Sequence, residues 1–151
     1  MSYINVRVYG IMLNEQKQVL VSDEYIRGGF YTKFPGGGLE IGEGTIDCMV
    51  REWKEELNQD IEVVEHIYTT DFYQKNAFDN SSQILSIYYL VKPTSPFTAR
   101  LGTKPFDYEI PEDKTIQLEG VRWVDWNDFS SDTVTLPIDK VLAEIVKKKY
   151  A

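Results

Sequence analysis

Apolar and polar residues alternate along several short stretches of the chain, a period that is typical of strands with one buried face. The first stretch, residues 3–13, places Ile4, Val6 and Val8 on one face. The polar run at 14–17 then predicts a turn into a paired strand. On this pattern we expect strands at residues 3–13, 18–23, 30–34, 61–72, 82–91 and 121–126.

Two other stretches repeat apolar residues at the helical period. The first begins at Thr45, a suitable N-cap, and ends before Asn58, which tolerates the left-handed conformation of a helix end. The second, residues 137–149, ends in three lysines that suit the negative helix terminus. The predicted inward-facing residues are Ile46, Met49, Val50, Trp53 and Leu57 in the first helix, and Ile138, Val141, Leu142, Ile145 and Val146 in the second.

This mixture of strands and helices predicts an α/β fold in which a mixed sheet lies between helices. The chain has 151 residues, which suits a single domain over residues 1–151 with one core. Cys48 is the only cysteine, so no internal disulfide can form, and a small buried thiol is the favoured role for it.

Charge and targeting signals narrow the class of partner. The chain carries a net charge of −8, which makes duplex nucleic acid a poor partner. The sequence shows no signal peptide and no apolar run long enough to cross a membrane. These features predict a cytoplasmic protein that does not bind membranes.

Three carboxylates share one face of the first predicted helix. Glu52, Glu55 and Glu56 stand at i, i+3 and i+4, so their side chains project from the same side. Like charges at this spacing weaken a helix unless something offsets the repulsion, and a divalent cation with oxygen ligands does so. A glycine-rich run, residues 36–38, precedes the helix. Together these features favour a metal-dependent enzyme that acts on phosphates over an ordinary solvated helix face.

The run from Gly37 to Glu56 resembles the Nudix box of the Nudix hydrolases. Gly37 is followed after five residues by Glu43, and after seven more by Arg51-Glu52-Trp53-x-Glu55-Glu56. The preceding Phe34-Pro35-Gly36-Gly37 is also similar to that family.

Two positions after the box depart from the family pattern. Asn58 stands where the family usually has Gly, and Gln59 where it usually has an aliphatic residue. Neither departure removes a carboxylate, and Asn tolerates positive φ.

The resemblance implies a Nudix-like α/β/α sandwich and a pyrophosphohydrolase, in which water attacks one phosphorus of a nucleoside diphosphate linked to another group. It also implies that Mg²⁺ or Mn²⁺ is held by a backbone carbonyl at Gly36 and by the three helix carboxylates, one of which acts as general base. Arg51 would pair with Glu43 and lock the loop against the helix. The residues implied for catalysis or metal binding are Gly36, Arg51, Glu52, Glu55 and Glu56, and the pair Glu43–Arg51 is implied as structural.

Glu119 is a further candidate. It precedes Val121-Arg122-Trp123, and many Nudix enzymes carry a similarly placed Glu before a strand with Trp. The resemblance implies a role as an extra metal ligand or as the base. An exposed residue at the start of a strand is the alternative.

Two long loops, residues 71–82 and 93–114, are the candidates for substrate selection. They carry aromatic rings that could stack on a base and cations that could contact phosphate. The candidate residues are Tyr73, Lys75 and Phe78 in the first loop and Arg100 in the second. The aromatic residues could instead pack the loops or contact a second copy in a homodimer, and the sequence leaves these alternatives open.

Two other functions stay open. One is a non-catalytic Nudix-like domain that senses a nucleotide or serves as a scaffold, which the loss of a box carboxylate would favour. The other is an isomerase of isoprenoid diphosphates, which an additional nucleophilic cysteine would favour. The sequence shows neither feature, so we predict hydrolysis of a small nucleotide-type diphosphate. Its identity depends on residues outside the box.

Overall fold

The computed structural model describes residues 2–151 and contains seven strands and two α-helices in that range. The predicted α/β class with a mixed sheet is confirmed, and the strands are divided between two sheets. The elements are β1 (Tyr3–Met12), β2 (Gln18–Ile26), β3 (Gly29–Lys33), β4 (Gly36–Gly38), α1 (Thr45–Leu57), β5 (Ile61–Thr69), β6 (Ser82–Pro93), β7 (Leu118–Asp125), a short 3₁₀ helix (Ser131–Thr133) and α2 (Pro137–Lys149).

By its internal contacts the chain divides into two compact units. The first unit holds the chain up to Ile11 together with Gly36–Phe97, and it contains α1 and the four-stranded sheet of order β4-β1-β6-β5. The second unit holds Met12–Pro35 and Thr98–Ala151, and it contains α2 and the three-stranded sheet of order β3-β2-β7. Within residues 2–151, neither helix has both the length and the apolar composition needed to span a membrane.

In the first unit, α1 packs on β4 and β5. Trp53 is buried against β1 at Gly10, where an added Cβ would come within 2.7 Å of the indole Nε1. Glycine at this position therefore allows the helix to approach the sheet closely.

The buried face of α1 is narrower than the set of inward-facing residues that the sequence predicts. Met49 and Trp53 are buried as expected, but Ile46 is 52% exposed and Val50 is 40% exposed. The prediction of inward-facing side chains at these two positions is wrong. A physical reason is that β4, one of the strands under α1, consists of three glycines and offers no side chains to cover a wider stripe.

The two ends of α1 have different capping interactions. Gly44 is the N-cap, so the prediction that Thr45 caps the helix is wrong; the Asp47 carboxylate accepts a hydrogen bond from the Gly44 N–H at 3.2 Å. Thr45 instead shares a 2.6 Å hydrogen bond between its hydroxyl and the hydroxyl of Tyr89 on β6. At the other end, Asn58 has φ 50° and ψ 38°, which confirms the predicted left-handed cap.

Gln59, a polar residue shortly after α1, is accommodated by hydrogen bonds. Its side chain is fully buried, and its amide nitrogen donates to the carbonyl and the hydroxyl of Ser95 at 2.9 and 3.0 Å. These bonds tie the junction of α1 and β5 to the chain that follows β6.

In the second unit, α2 buries Ile138, Leu142 and Val146 as predicted, whereas Val141 is exposed and that part of the prediction is wrong. Helix residues at i, i+4 and i+8 form one narrow row, and Val141 lies beside it.

Several strand boundaries differ from the predicted ones. β5 ends at Thr69 rather than at residue 72, and β6 continues to Pro93. β7 begins at Leu118, three residues earlier than expected, because this segment pairs with β2 as far as Tyr25. The glycine run 36–38, expected as a loop, pairs with β1.

Candidate active site

The Glu52 carboxylate lies against the glycine strand β4. A Cβ built on Gly37 would overlap the Glu52 carboxylate group, so only glycine leaves room for it. The Glu52 side chain is accordingly 13% exposed, whereas that of Glu55 is 59% exposed. Glu56 is also exposed on α1. The helix thus presents one carboxylate to the strand and two to solvent.

Arg51 connects the loop, the helix and the strand. Its Nε and Nη2 donate to the two oxygens of Glu43 at 2.9 and 2.7 Å, a two-pronged contact that Lys could not copy. Nη1 donates to Glu52 at 3.0 Å and to Glu55 at 3.1 Å. Nη2 also donates to the Gly38 carbonyl of β4 at 3.1 Å.

These contacts shift the protonation of the groups around Arg51. The hydrogen bonds from Arg51 lower the pKa of Glu43 to about 2, and the N–H of Glu40 adds to this. The same carboxylate raises the pKa of Arg51, which therefore stays charged. Burial, helped by the nearby Glu43, raises the pKa of the Cys48 thiol to about 12. Cys48 is thus a neutral thiol, which donates to the Gly38 carbonyl at 3.5 Å, rather than a nucleophile.

The cluster around Arg51 has a surplus of negative charge. Glu40 lies 3.7 Å from Nη1 of Arg51. The Arg51 guanidinium therefore contacts four carboxylates, those of Glu40, Glu43, Glu52 and Glu55. Arg51 offsets part of the repulsion for which the helix pattern predicted a divalent cation, and it cannot offset all of it.

The donor set suits a hard divalent cation in its chemistry, because carboxylates and backbone carbonyls supply only oxygen ligands. Within residues 2–151, no three Asp, Glu, His or Cys side chains converge as metal ligands do. Arg51 donates to Oε1 of Glu52 and to Oε2 of Glu55.

The backbone of β4 adds a further oxygen. Leu39 N–H donates to the Val6 carbonyl of β1, so alternate residues of this segment turn their backbone groups toward β1. The Gly38 carbonyl faces Arg51 instead. By the same alternation the Gly36 carbonyl points off the outer edge of β4, where we expect it to be open to a ligand.

The structure divides the remaining predicted residues between the two units. Tyr73, Lys75 and Phe78 belong to the first unit with the box, whereas Arg100 and Glu119 belong to the second. Tyr73 and Lys75 are exposed, and Phe78 is half-buried. Residues 70–81 fold back on β6, for example through the bridge between Lys75 and Gln83.

Glu119 does not precede the strand, as predicted, but lies within β7. It is exposed and stands opposite Glu24 of β2 in the register. Arg100 is also exposed, and its guanidinium lies 3.8 Å from the Asp107 carboxylate.

The sequence pattern did not single out Glu40 or Arg7. Glu40 lies in the glycine-rich loop and joins the Arg51 cluster. Arg7 lies on β1, directly opposite Gly38 of β4 in the register. The available signal for Arg7 was its position as the one charged residue in an alternating strand.

Comparison with known proteins agrees with this geometry. The family model described as NUDIX domain matches residues 4–145, a range that includes most of both units. Among curated proteins, no sequence matches the chain.

Solved structures with a similar fold include three bacterial proteins of low sequence identity. The E. coli ORF135 protein has a TM-score of 0.71 at 16% identity, covering 99% of this chain and 93% of that one. A NUDIX hydrolase from Nitrosomonas europaea has a TM-score of 0.69 at 18% identity, covering 97% and 90%. An ADP-ribose pyrophosphatase from Streptococcus suis has a TM-score of 0.55 at 15% identity, covering 97% and 93%. From the family match, the chain belongs to the NUDIX domain family, the family of the Nudix hydrolases.

Proposed function

We propose that this chain is a pyrophosphohydrolase that uses Mg²⁺ or Mn²⁺ to hydrolyse a small nucleotide-type diphosphate, a nucleoside diphosphate linked to another group. The observation that carries the proposal is the surplus of negative charge around Arg51, on the face of α1 that adjoins the glycine strand. A surplus of this kind attracts a divalent cation, and a cation held there would draw in the phosphates.

Each part of the cluster has a proposed role. Glu52, Glu55, Glu56 and the Gly36 carbonyl would hold the cation. When bound, a divalent cation neutralises charge on the phosphoryl oxygens and lowers the pKa of a bound water. Arg51 holds Glu52 and Glu55 in place and anchors them to the loop through Glu43.

The proton of the attacking water needs an acceptor within hydrogen-bond reach. The helix carboxylates and Glu119 are the candidates. Glu56 is exposed on the helix face, and Glu119 is exposed on β7. A base on α1 is favoured because it shares one rigid element with the proposed metal ligands.

We propose that substrate selection lies with Tyr73, Lys75 and Phe78 in the loop before β6 and with Arg100 in the loop after it. The similar Streptococcus suis protein is named for a substrate, ADP-ribose, that has a base and two phosphates. An exposed ring such as Tyr73 could stack on a base of this kind. A single domain over residues 1–151, a cytoplasmic location and a homodimer stay predictions.

The test is a hydrolysis panel with Mg²⁺ and with Mn²⁺. It contains nucleoside diphosphate sugars including ADP-ribose, dinucleoside polyphosphates, NADH and oxidised nucleotides. We expect release of a nucleoside monophosphate or a phosphate from at least one compound, and no release when a chelator is present. Running the reaction in ¹⁸O-water places the label on the phosphorus that is attacked.

Variants identify the site within this panel. Glu52→Gln and Glu56→Gln should each lower kcat by about a hundredfold to a thousandfold, because each weakens electrostatic stabilisation of the reacting phosphates. The matched control is Glu62→Gln, which removes an exposed carboxylate on β5 of the same unit and should leave kcat unchanged. Full activity in both box variants would contradict the proposal. Binding without turnover of any compound would favour a nucleotide-sensing domain.

A further inference from the structure

Arg7 lies on the face of the four-stranded sheet that is turned away from α1. Side chains alternate between the two faces of a strand, and Gly10 of β1 and Gly37 of β4 both face α1. Arg7 and Tyr9 must therefore face the other way, as does Gly38. The stacking of Tyr9 on Tyr88 of β6 agrees with this assignment.

The guanidinium of Arg7 is held in one orientation. Its Nε donates to the Tyr9 hydroxyl at 2.8 Å. Tyr9 is 5% exposed, and its ring stacks on the fully buried ring of Tyr88 at a centroid distance of 5.4 Å. This hydrogen bond orients the guanidinium. Arg7 itself is only half-buried.

The glycine strand brings this cation near the carboxylate face. Gly38 stands opposite Arg7, and a Cβ built on it would lie 3.6 Å from Arg7 Nη1. At the preceding residue, a Cβ built on Gly37 would overlap the Glu52 carboxylate. In the edge strand β4, which has no side chains, Gly37 thus adjoins the Glu52 carboxylate on one face and Gly38 adjoins the Arg7 guanidinium on the other.

We propose that Arg7 binds a phosphate of the substrate, the one that the cation on the carboxylate face does not hold. This inference rests on the proposed function and assigns the second phosphate of the same site. A planar guanidinium matches two phosphate oxygens, and one that is already oriented loses little freedom on binding. Tyr9 is a positioning residue that acts through Arg7.

The test measures binding without hydrolysis and without metal. The probes are methylenediphosphonate and α,β-methylene-ADP, whose P–C–P bridges resist hydrolysis, titrated by calorimetry with Mg²⁺ and again with EDTA. Arg7→Gln should weaken both probes by the same factor, roughly tenfold to hundredfold, under both conditions. Arg7→Lys should recover part of the loss, because it restores the charge and not the fork. Lys92→Gln, which removes an exposed cation from β6 of the same sheet, is the matched control and should bind as the parent does.

Tyr9→Phe keeps the stacked ring and removes the hydroxyl. It should weaken binding of both probes less than Arg7→Gln does. In an Arg7→Gln background it should have no further effect, whereas a purely structural role of Tyr9 would weaken binding in both backgrounds. The inference is overturned if Arg7→Gln binds within twofold of the parent, if it affects only the nucleotide probe, or if the parent binds neither probe. Loss of probe binding in Arg7→Gln beside a failed hydrolysis panel would overturn the proposed hydrolysis and would still support phosphate binding by Arg7.

Discussion

Each unit contains a cluster built on an arginine, which contacts four carboxylates in the first unit and one in the second, so the two clusters differ in charge balance. In the first unit, one guanidinium contacts four carboxylates at distances up to 3.7 Å, and these belong to Glu40, Glu43, Glu52 and Glu55. Arg51 is 22% exposed, and the exposure of its partners ranges from 13% to 67%. This cluster is open to solvent and strongly negative.

In the second unit, one buried carboxylate is fully bonded. Asp23 on β2 is 3% exposed and lies 2.7 Å from Nε of Arg122 on β7. The Thr32 hydroxyl donates to the same carboxylate at 2.7 Å, and the Phe106 N–H donates at 3.2 Å. The Tyr108 hydroxyl donates to the Asp23 carbonyl at 3.0 Å. The charges cancel, and these bonds fix the loop after β6 to the sheet.

The difference separates a structural ion pair from a site that can accept a ligand. A buried carboxylate whose charge is cancelled by its arginine has no charge left over for a further cation. A solvent-facing group of carboxylates with one arginine is under-neutralised, and its charge can be balanced by a cation from outside. The same pair of residue types therefore predicts opposite functions, according to stoichiometry and burial.

Removal of Asp23 should have the largest effect on stability. Asp23→Ala leaves Arg122 largely buried without its counter-charge, which should lower the free energy of unfolding by about 3–5 kcal/mol. Glu62→Ala is the control, since it breaks an exposed ion pair with Lys92 and should cost about 0–1 kcal/mol. Urea denaturation followed by circular dichroism measures both. Equal losses for the two variants would show that the Asp23 cluster is not a structural pair.

The second prediction concerns the cation proposed for the first cluster. At a Mg²⁺ concentration a hundred times its Kd, binding to the native state should add about 2.7 kcal/mol and raise the Tm by roughly 5–10 °C. In Glu55→Gln/Glu56→Gln the rise should shrink, while the Tm without metal holds or increases because the repulsion is relieved. Thermal melts with and without Mg²⁺ decide this. A parent whose Tm responds to neither Mg²⁺ nor Mn²⁺ would count against the metal site.

The positions of the helix carboxylates in the first cluster could be predicted from the sequence because their arrangement is local. The helical period alone puts Glu52, Glu55 and Glu56 on one side of α1, without knowledge of any partner. Local periodicity also predicted that α1 would have an apolar face. It could not predict the width of that face, since the width depends on which strand lies beneath it. Ile46 and Val50 were therefore assigned to the core and are exposed.

The second cluster and the strand β4 could not be predicted from local sequence patterns. Arg122 is 99 residues from Asp23 along the chain, and a polar residue in a strand does not disclose its partner. The strand Gly36–Gly38 has no side chains, so it carries no alternating pattern, and only its pairing with β1 defines it. Both features depend on pairing between distant segments.

The third prediction exchanges the arginines for lysines in the two clusters. Arg51→Lys keeps the charge but cannot make the two-pronged contact with Glu43, so the helix carboxylates lose their common anchor. We expect kcat/KM on the best substrate of the panel to fall roughly tenfold, about 1.4 kcal/mol. Arg122→Lys should instead lower the free energy of unfolding and leave kcat/KM nearly unchanged. Steady-state kinetics with urea denaturation of both variants gives the answer, and a loss of kcat/KM confined to Arg122→Lys would reverse the two assignments.

The smallest expected effect is a pH dependence of stability that is confined to the first cluster. Hydrogen bonds from Arg51 hold the pKa of Glu43 at about 2 in the folded state, below its ordinary value of 4.5. A carboxylate with a lowered folded-state pKa stabilises the protein above its unfolded-state pKa. The contribution is therefore fully present above about pH 5 and is lost as pH falls from roughly 4.5 toward 2.

Glu43→Gln removes this titration, so it isolates the contribution. The difference in the free energy of unfolding between the parent and Glu43→Gln should be constant from pH 7 to pH 5. It should shrink steadily between pH 4.5 and pH 3, because Glu43 takes up a proton in the unfolded state while it stays ionised in the folded state. Glu62→Gln, whose carboxylate is exposed, serves as the reference for general acid effects. A difference that stays constant down to pH 3 would mean that Arg51 does not hold Glu43 ionised. In that case Arg51 would be anchored to β4 through its hydrogen bond to the Gly38 carbonyl instead.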